Sequence, residues 1–415
     1  MPEHAASFAT ESVPQGGRGV AHFNAASCCA AVLVAAIASF FAPLAGQLFA
    51  LLACMACARF CRALLPLALL TYAHAGASIF ASRTLEAESS DFVVYFDLFQ
   101  DICSGSVPLR ETLSAFGLEF GLPATYHLLA GAGACGLTIH GLAYLQTLVV
   151  SAVLLGLLAV RCLEDHAPAQ AALVLGGTLA MFSFIYVTQL SRQTVSSLFI
   201  LLALFESRRG SVAWTWLALA TVFHLTAPVV YGLARLLRAA PWFSIGITAA
   251  ILAALALYGT ELLEWGLEQA SILPGLDKLG YYAIEFDGDE SVGSDLRAML
   301  YLFLAALASL PWRRAGSAEM SKDLRLLLGF ALLAGAVLVL PLAATRLTLT
   351  FSALAVGYYL FKGLVAGSAK LSWAVLLAVI VFRSGVFQVF GPAEQTLWQA
   401  YDAYALWPLY YVASF

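Results

Sequence analysis

The sequence predicts an all-α fold, a polytopic integral membrane protein that forms a helical bundle. Of its 415 residues, 61% are hydrophobic and only 11% are charged, whereas soluble proteins carry roughly 25% charged residues. The mean hydropathy is +0.86, and apolar runs recur along most of the chain. We therefore expect about 12–13 transmembrane helices in a single domain over residues 25–415, with external loops at about 82–140 and 261–295.

The first apolar run follows a polar stretch. Residues 1–24 are glycine-rich and almost free of apolar side chains, so we interpret them as a disordered tail. They are not a cleavable signal, because the long apolar run comes only after them. That run, residues 25–58, is too long for one ordinary span and short for two. Pro43 at its middle favours a tight helical hairpin, and one long tilted helix is the alternative.

The first external interval contains a semi-apolar stretch, residues 118–136. If this stretch does not cross the membrane, the alternation of spans places most basic residues after the tail on one side, among them Arg59, Arg161, Arg238 and Lys362. The positive-inside rule identifies that side as the cytoplasm. We therefore expect residues 118–136 to form a re-entrant or surface-lying helix, which is tolerated where it lines a cavity.

Metal, cofactor and nucleic-acid ligands are not indicated. The acidic run EFDGDES in the second external interval lacks the spacing of a calcium loop, which favours a solvated loop. Cys54, Cys57 and Cys61 share a helical face without a histidine or carboxylate, which is typical of small-residue packing. The sequence has no basic cluster with interleaved aromatic residues, so nucleic-acid binding is not indicated. Cys103 and Cys135 fall in the same external interval and are candidates for a disulfide.

One stretch, Gln189–Tyr231, carries the strongest functional signal, because two apolar runs flank a basic turn at Ser207–Gly210. Arg192 lies about 16 residues before the middle of the turn and His224 about 16 residues after it, so two helices hinged there place both side chains roughly 24 Å from the turn. The runs after the turn are too short to cross roughly 30 Å of hydrocarbon, which places His224 in a recess.

Function is favoured for both side chains, because an arginine and a histidine beside apolar runs are costly. The alternative is that Arg192 extends to the interface and His224 caps a helix. Seven basic residues remain outside or near the outer face, against the charge bias, and suggest an anionic ligand such as pyrophosphate, which guanidinium groups bind as a fork. They are Arg83, Arg110, Arg192, Lys278, Arg297, Arg346 and Arg383. For Arg297 and Arg383 an interface anchor is the favoured alternative.

Four segments together resemble the EpsG/Wzy-type polysaccharide polymerases. The longest is SRQTVSSLFILLALFESRRGSVAWTWLALATVFHLTAP, with Arg-Gln before a basic turn and Phe-His after it. SSDFVVYFDLF matches an Asp-x-x-x-Tyr segment through Asp91 and Tyr95. GLEFGLPATYHLL matches a Glu-Pro-Gly-Tyr segment through Glu119 and Gly121, with phenylalanine where proline is usual. AATRLTLTF supplies Arg346, which resembles the arginine that opens a late helix in the family.

The resemblance implies a polymerase of O-antigen, capsule or exopolysaccharide in a bacterial inner membrane, with its active site facing the periplasm. Donor and acceptor would both be undecaprenyl-pyrophosphate-linked glycans, and a flippase and a chain-length regulator would be partners. The fold would be similar to that of the metal-independent, GT-C-like lipid-linked glycosyltransferases. An O-antigen ligase is the nearest alternative. A transporter or flippase is a further one, although no internal repeat is present.

The candidate site residues follow from this chemistry. Arg192 and Arg346, with Gln193 as a neutral donor, are expected to stabilise the leaving pyrophosphate, and Arg83 is expected to contribute to its binding. A base must take the proton of the acceptor hydroxyl. His224, Asp91 and Glu119 are candidates, and His224 is favoured because an imidazole titrates near neutral pH. For Tyr95 a sugar contact and an interface anchor stay open.

Overall fold

The computed structural model describes residues 17–81, 91–111, 117–206, 210–239, 289–314, 318–337 and 343–383, with the single positions 246, 250 and 258. Every regular element within them is helical, which confirms the all-α prediction. The α-helices in these ranges are α1 (Gly17–Phe41), α2 (Pro43–Phe60), α3 (Leu65–Ala81), α4 (Asp91–Ser104), α5 (Gly121–Gly131), α6 (Ile139–Asp165), α7 (Pro168–Met181), α8 (Phe184–Gln189), α9 (Ser191–Phe205), α10 (Gly210–Phe223), α11 (Ala227–Ala239), α12 (Asp289–Arg314), α13 (Ala318–Ala336), α14 (Ala343–Leu349), α15 (Val356–Gly367) and α16 (Ala369–Val381).

Several helices are suited to a membrane. Within the described ranges, Pro43–Phe60, Arg62–Ala81 and Ile139–Asp165 are long and apolar enough to cross a bilayer. The pair Ala344–Leu354 and Val356–Gly367 reaches that length together, with a bend of 49° between its halves. Five shorter apolar helices accompany them. The number of 12–13 crossings therefore stays a prediction, while the membrane character is supported.

The outer faces of these helices carry large apolar side chains. Leu33 on α1 is 61% exposed, and Leu52 on α2, Val149 on α6 and Leu377 on α16 are similarly uncovered. Soluble monomers rarely expose contiguous apolar surface on this scale, because water disfavours it, whereas lipid does not. We infer that these faces contact hydrocarbon.

The first apolar run folds as a helical hairpin, which confirms the alternative that Pro43 favoured. The helical backbone breaks at Ala42, where φ is −146°, and Pro43 opens α2. A Cβ atom on Gly46 would lie 2.3 Å from the Cα atom of Ser39, so the two helices touch at their backbones beside the turn. Helix α1 begins at Gly17, inside the stretch 1–24 that we expected to be a tail. Residues 1–16 lie outside the described ranges.

Two glycines allow the central helices to cross closely. A Cβ atom on Gly357 of α15 would lie 2.5 Å from the carbonyl oxygen of Gly177 in α7, and one on Gly177 would lie 2.0 Å from the ring of Phe361. Small residues at such crossings let backbones approach, which maximises van der Waals contact where lipid supplies no hydrophobic driving force. The α7–α15 crossing lies within the larger core, to which Leu175 and Phe361 belong.

The described part of the interval 82–140, which we expect to be external, contains helices α4 and α5 and a small core of its own. Phe92 and Phe99 of α4 pack with Tyr126 of α5 and Leu142 of α6. Helix α5 has 11 residues and is about 16 Å long, too short to cross a bilayer. The re-entrant or surface-lying placement of residues 118–136 stays a prediction. A disulfide between Cys103 and Cys135 joins the end of α4 to the 3-10 turn after α5, with 5.5 Å between their Cα atoms.

Basic residues gather at the end of the bundle away from this interval. Lys362 of α15 lies 2.9 Å from a carboxylate oxygen of Asp323 on α13 and 4.0 Å from one of Asp165 on α6. Arg238 of α11 lies 3.6 Å from the second oxygen of Asp323. The alternation of spans placed Arg238 and Lys362 on one side of the membrane, and the structure brings both to a single carboxylate.

Candidate functional site

The site is built on one buried carboxylate, Glu119, which precedes α5 and is only 5% exposed. Its Oε2 accepts a hydrogen bond from Nη1 of Arg192 at 3.1 Å. Its Oε1 accepts from Nδ1 of His224 at 3.0 Å and from the backbone N–H of Leu225 at 2.9 Å. Arg192 and His224, which the sequence placed at equal depth, therefore meet on the same side chain.

Local backbone geometry brings Glu119 to this position. Gly117 adopts a left-handed φ of +54°, which turns the chain two residues before the carboxylate. Gly121 then approaches the last residue of α10 so closely that a Cβ atom on it would lie 2.9 Å from the ring of Phe223. That ring packs on Phe199 of α9, with 5.8 Å between centroids. Glu119 is thus held against the end of α10, where His224 follows.

Arg192 has a second contact, with Tyr95 on α4. Its guanidinium lies 5.5 Å from the centre of the Tyr95 ring, and its Nε donates to the Tyr95 hydroxyl at 3.4 Å. The arginine is therefore held between a carboxylate and an aromatic face, while 27% of its side chain stays exposed. Asp91 is the first residue of α4, one helical turn before Tyr95. Arg83 lies outside the described residues.

Gln193 connects this cluster to Arg346. Its side-chain Nε2 donates to the carbonyl oxygen of Arg346 in α14, 153 positions further along the chain. Arg346 therefore lies beside the Arg192–Gln193 step at the start of α9. The structure thus brings Tyr95, Glu119, Arg192 and His224 together and joins the backbone of Arg346 to the neighbouring Gln193.

The hydrogen bonds define how His224 can react. Oε1 of Glu119 already accepts from the backbone of Leu225, so the carboxylate acts as an acceptor and Nδ1 of His224 is the donor. A neutral ring protonated at Nδ1 carries its lone pair on Nε2. No hydrogen bond to Nε2 occurs among the described residues, and a quarter of the side chain is exposed. This arrangement can accept a proton from a bound hydroxyl group.

A polar chain that the sequence analysis missed braces the site. The Tyr126 hydroxyl of α5 donates to Oε1 of Gln146 at 3.1 Å, and Nε2 of Gln146 donates to Oγ of Ser191, the neighbour of Arg192. Burial raises the pKa of Tyr126, so the phenol stays a neutral donor. The chain ties the segment carrying Glu119 to the start of α9. The sequence signal that could have indicated this chain is Gln146, a single amide side chain within the apolar run of α6.

Asp295 needs a correction. We counted it as the last residue of the external interval 261–295, yet it is fully buried, and its Oδ1 accepts from the backbone N–H of Thr345 at 2.7 Å. The physical reason is that the first turn of a helix leaves N–H groups without intrahelical acceptors, and Asp295 supplies one to α14. The run EFDGDES begins outside the described residues.

Arg383 does not join the site. Its Nη1 donates to the carbonyl oxygens of Ala180 and Phe182, at 2.9 and 3.3 Å, where α7 ends. Cations at helix C-termini satisfy free carbonyls in this way, which supports a structural role.

The disulfide encloses the segment that carries Glu119, so its removal should loosen the site. We expect Cys103→Ser to reduce the local stability by roughly 3–4 kcal/mol, given the size of the loop that the disulfide closes. Amide hydrogen exchange should then accelerate across α4 and α5. Cys29→Ser is the matched control, since Cys29 is an exposed free cysteine. Unchanged exchange in the Cys103 variant would contradict the bracing role.

Comparisons with protein-family models, with curated proteins and with solved structures found no match for this chain. The chemistry assigned to the site therefore depends on its residues and their geometry.

Proposed function

We propose that this chain is a polymerase that joins undecaprenyl-pyrophosphate-linked oligosaccharide repeat units into a surface polysaccharide. The reaction takes place at the periplasmic face of a bacterial inner membrane, in a metal-independent bundle similar to the GT-C-like glycosyltransferases. The observation that carries the proposal is the convergence of Arg192 and His224 on Glu119, which lies 73 and 105 positions away from them in the sequence.

The proposed reaction begins at the acceptor hydroxyl. Nε2 of His224 takes the hydroxyl proton while Glu119 holds the proton on Nδ1 and stabilises the imidazolium that forms. The hydroxyl oxygen forms a bond to the anomeric carbon of the donor. The bond from that carbon to the pyrophosphate oxygen breaks, and polyprenyl pyrophosphate leaves with the electron pair.

Negative charge grows on the leaving pyrophosphate, so cations placed in advance lower the barrier. Arg192 and Arg346 supply these cations, and Gln193 fixes the Arg346 backbone beside them. Tyr95 already contacts Arg192, and its ring is proposed to contact a sugar of the glycan. Asp91 and Arg83 are proposed to bind the glycan and the pyrophosphate.

Two features support the proposed orientation. The Cys103–Cys135 disulfide closes the loop that contains Glu119. Disulfides persist in oxidising compartments such as the periplasm. The opposite end of the bundle carries the basic cluster of Arg238 and Lys362, in the manner of a cytoplasmic face. Partners such as a flippase and a chain-length regulator would then act on the two sides of the membrane.

The decisive experiment measures glycan length in cells that lack the native gene and carry Arg192→Ala or His224→Ala, with membrane abundance monitored. We expect surface glycan to stop at one repeat unit, since one lost transition-state donor costs roughly 100- to 1,000-fold. Arg192→Lys should fail as well, because an ammonium group cannot replace the guanidinium fork.

Arg161→Ala is the matched control. Arg161 also pairs with a glutamate at 2.8 Å, stacks on an aromatic ring at 4.8 Å and is 23% exposed, but it lies at the other end of the bundle. It should leave glycan length unchanged. Long chains in the Arg192 and His224 variants would refute the polymerase. Polymer that forms without reaching its final acceptor would indicate a ligase, and lipid-linked units retained inside the cell would indicate a flippase.

A further inference from the structure

The short helix α14 is held in place by side chains from two other helices. Asp295 of α12 accepts from the N–H of Thr345, and Gln193 of α9 donates to the carbonyl oxygen of Arg346. The first contact is to the peptide group that precedes Thr345, and the second is to the peptide group that follows Arg346. The backbone of the Thr345–Arg346 pair is therefore held from both sides.

Asp295 is an unusual residue to find at this position. It is fully buried, although the two residues that follow it in α12, Leu296 and Arg297, are exposed. Burying a carboxylate in a membrane bundle is costly unless hydrogen bonds and positive charge compensate it. The first turn of α14 supplies one such hydrogen bond, from the backbone N–H of Thr345 to Oδ1 of Asp295, and the positive end of a helix favours negative charge.

We propose that Asp295 is a positioning residue, which fixes α14 so that Arg346 stays beside Arg192 and Gln193 to bind pyrophosphate. This inference rests on the proposed function for the identity of the anion. It adds that the binding site depends on a buried acid at the start of α14, and that the acid acts through the arginine without touching the substrate.

The test uses the full-length protein purified in detergent, with inorganic pyrophosphate as the probe. Pyrophosphate should raise the melting temperature of the wild type, because a ligand that binds the folded state stabilises it. Asp295→Ala should weaken pyrophosphate binding by roughly 10- to 100-fold, the effect of losing one hydrogen bond to a charged group. Asp295→Asn keeps an acceptor for Thr345 and should restore most of the affinity.

A double-mutant cycle separates positioning from general stability. Arg346→Lys should weaken pyrophosphate binding by itself, and adding Asp295→Ala to it should cause little further loss, because both act on one interaction. Additive losses would overturn the proposal, and so would the absence of any stabilisation of the wild type by pyrophosphate. Asp323→Asn is the control, since Asp323 is equally buried but pairs with Lys362 at the other end of the bundle. It should lower the melting temperature and leave the shift caused by pyrophosphate intact.

The outcome also distinguishes this proposal from the proposed polymerase activity. If the cycle shows coupling while cells carrying Asp295→Ala make long glycan, Asp295 positions an anion site and the polymerase reaction is wrong. If glycan stops at one repeat unit in the Arg192 variant but the cycle is additive, the reaction stands and the role of Asp295 is wrong.

Discussion

Glu119→Gln is expected to slow glycan extension by roughly 100- to 10,000-fold, the range that a positioned general base contributes. The carboxylate accepts three hydrogen bonds, from Arg192, His224 and the backbone of Leu225. An amide has one oxygen and a donor group in place of the second. It must therefore turn its NH₂ group towards Arg192 or towards His224, both of which are donors here.

The two orientations have different consequences, and both are damaging. An NH₂ group facing His224 favours the tautomer with its lone pair on Nδ1, which leaves no acceptor on Nε2. An NH₂ group facing Arg192 places two donors against each other and releases the guanidinium. The measurement is the extension rate on lipid-linked repeat units in membranes that contain equal amounts of protein.

A matched substitution tests whether any lost glutamate has this effect. Glu164→Gln removes an exposed carboxylate that also pairs with an arginine, Arg161. It should leave the rate within about twofold of the wild type, because exposed ion pairs contribute only about 0–1 kcal/mol. A Glu119→Gln variant that extends glycan at the rate of the Glu164 variant would exclude Glu119 from the mechanism.

Lys362→Met is expected to lower the free energy of unfolding by about 3 kcal/mol. The ammonium group lies 2.9 Å from Asp323, which is 2% exposed. Removing one partner of a buried ion pair leaves an uncompensated charge and typically costs 3–5 kcal/mol. The lower end of this range applies, because Arg238 still lies 3.6 Å from the other oxygen of Asp323.

The loss should appear as a lower unfolding midpoint in detergent. Lys370→Met is the control, since Lys370 is an exposed lysine at the start of α16. Adding Asp323→Asn to Lys362→Met should restore part of the stability, because the orphaned charge is then removed. If the double variant were less stable than Lys362→Met alone, the buried charge would not be the cause.

The meeting of Arg192 and His224 could be anticipated from the sequence by physical argument. Equal distances from a basic turn predict equal depth in a helical hairpin, and the structure joins the two residues through one carboxylate. The identity of that carboxylate could not be obtained in this way. Glu119 is distant in sequence from both residues, and only its resemblance to a family motif indicated it.

Pro43 predicted a hairpin correctly, because proline ends a helix through its own local geometry. Other features depended on packing between distant segments, which a linear pattern does not contain. Asp295 was misplaced, because an acidic interval does not reveal which of its carboxylates turns inward to cap a distant helix. Gln146 was overlooked, because its partners Tyr126 and Ser191 come from other segments of the chain.

The disulfide also has a consequence for the order in which the protein is made. Cys103 and Cys135 leave the ribosome before α9 and α10 exist, so the bond can close while synthesis continues. His224 follows Cys135 by about 90 residues, which at about 5–20 residues per second takes roughly 5–18 s. Glu119 can therefore be presented on a finished, covalently closed module, on which the nascent helices carrying Arg192 and His224 assemble as they emerge.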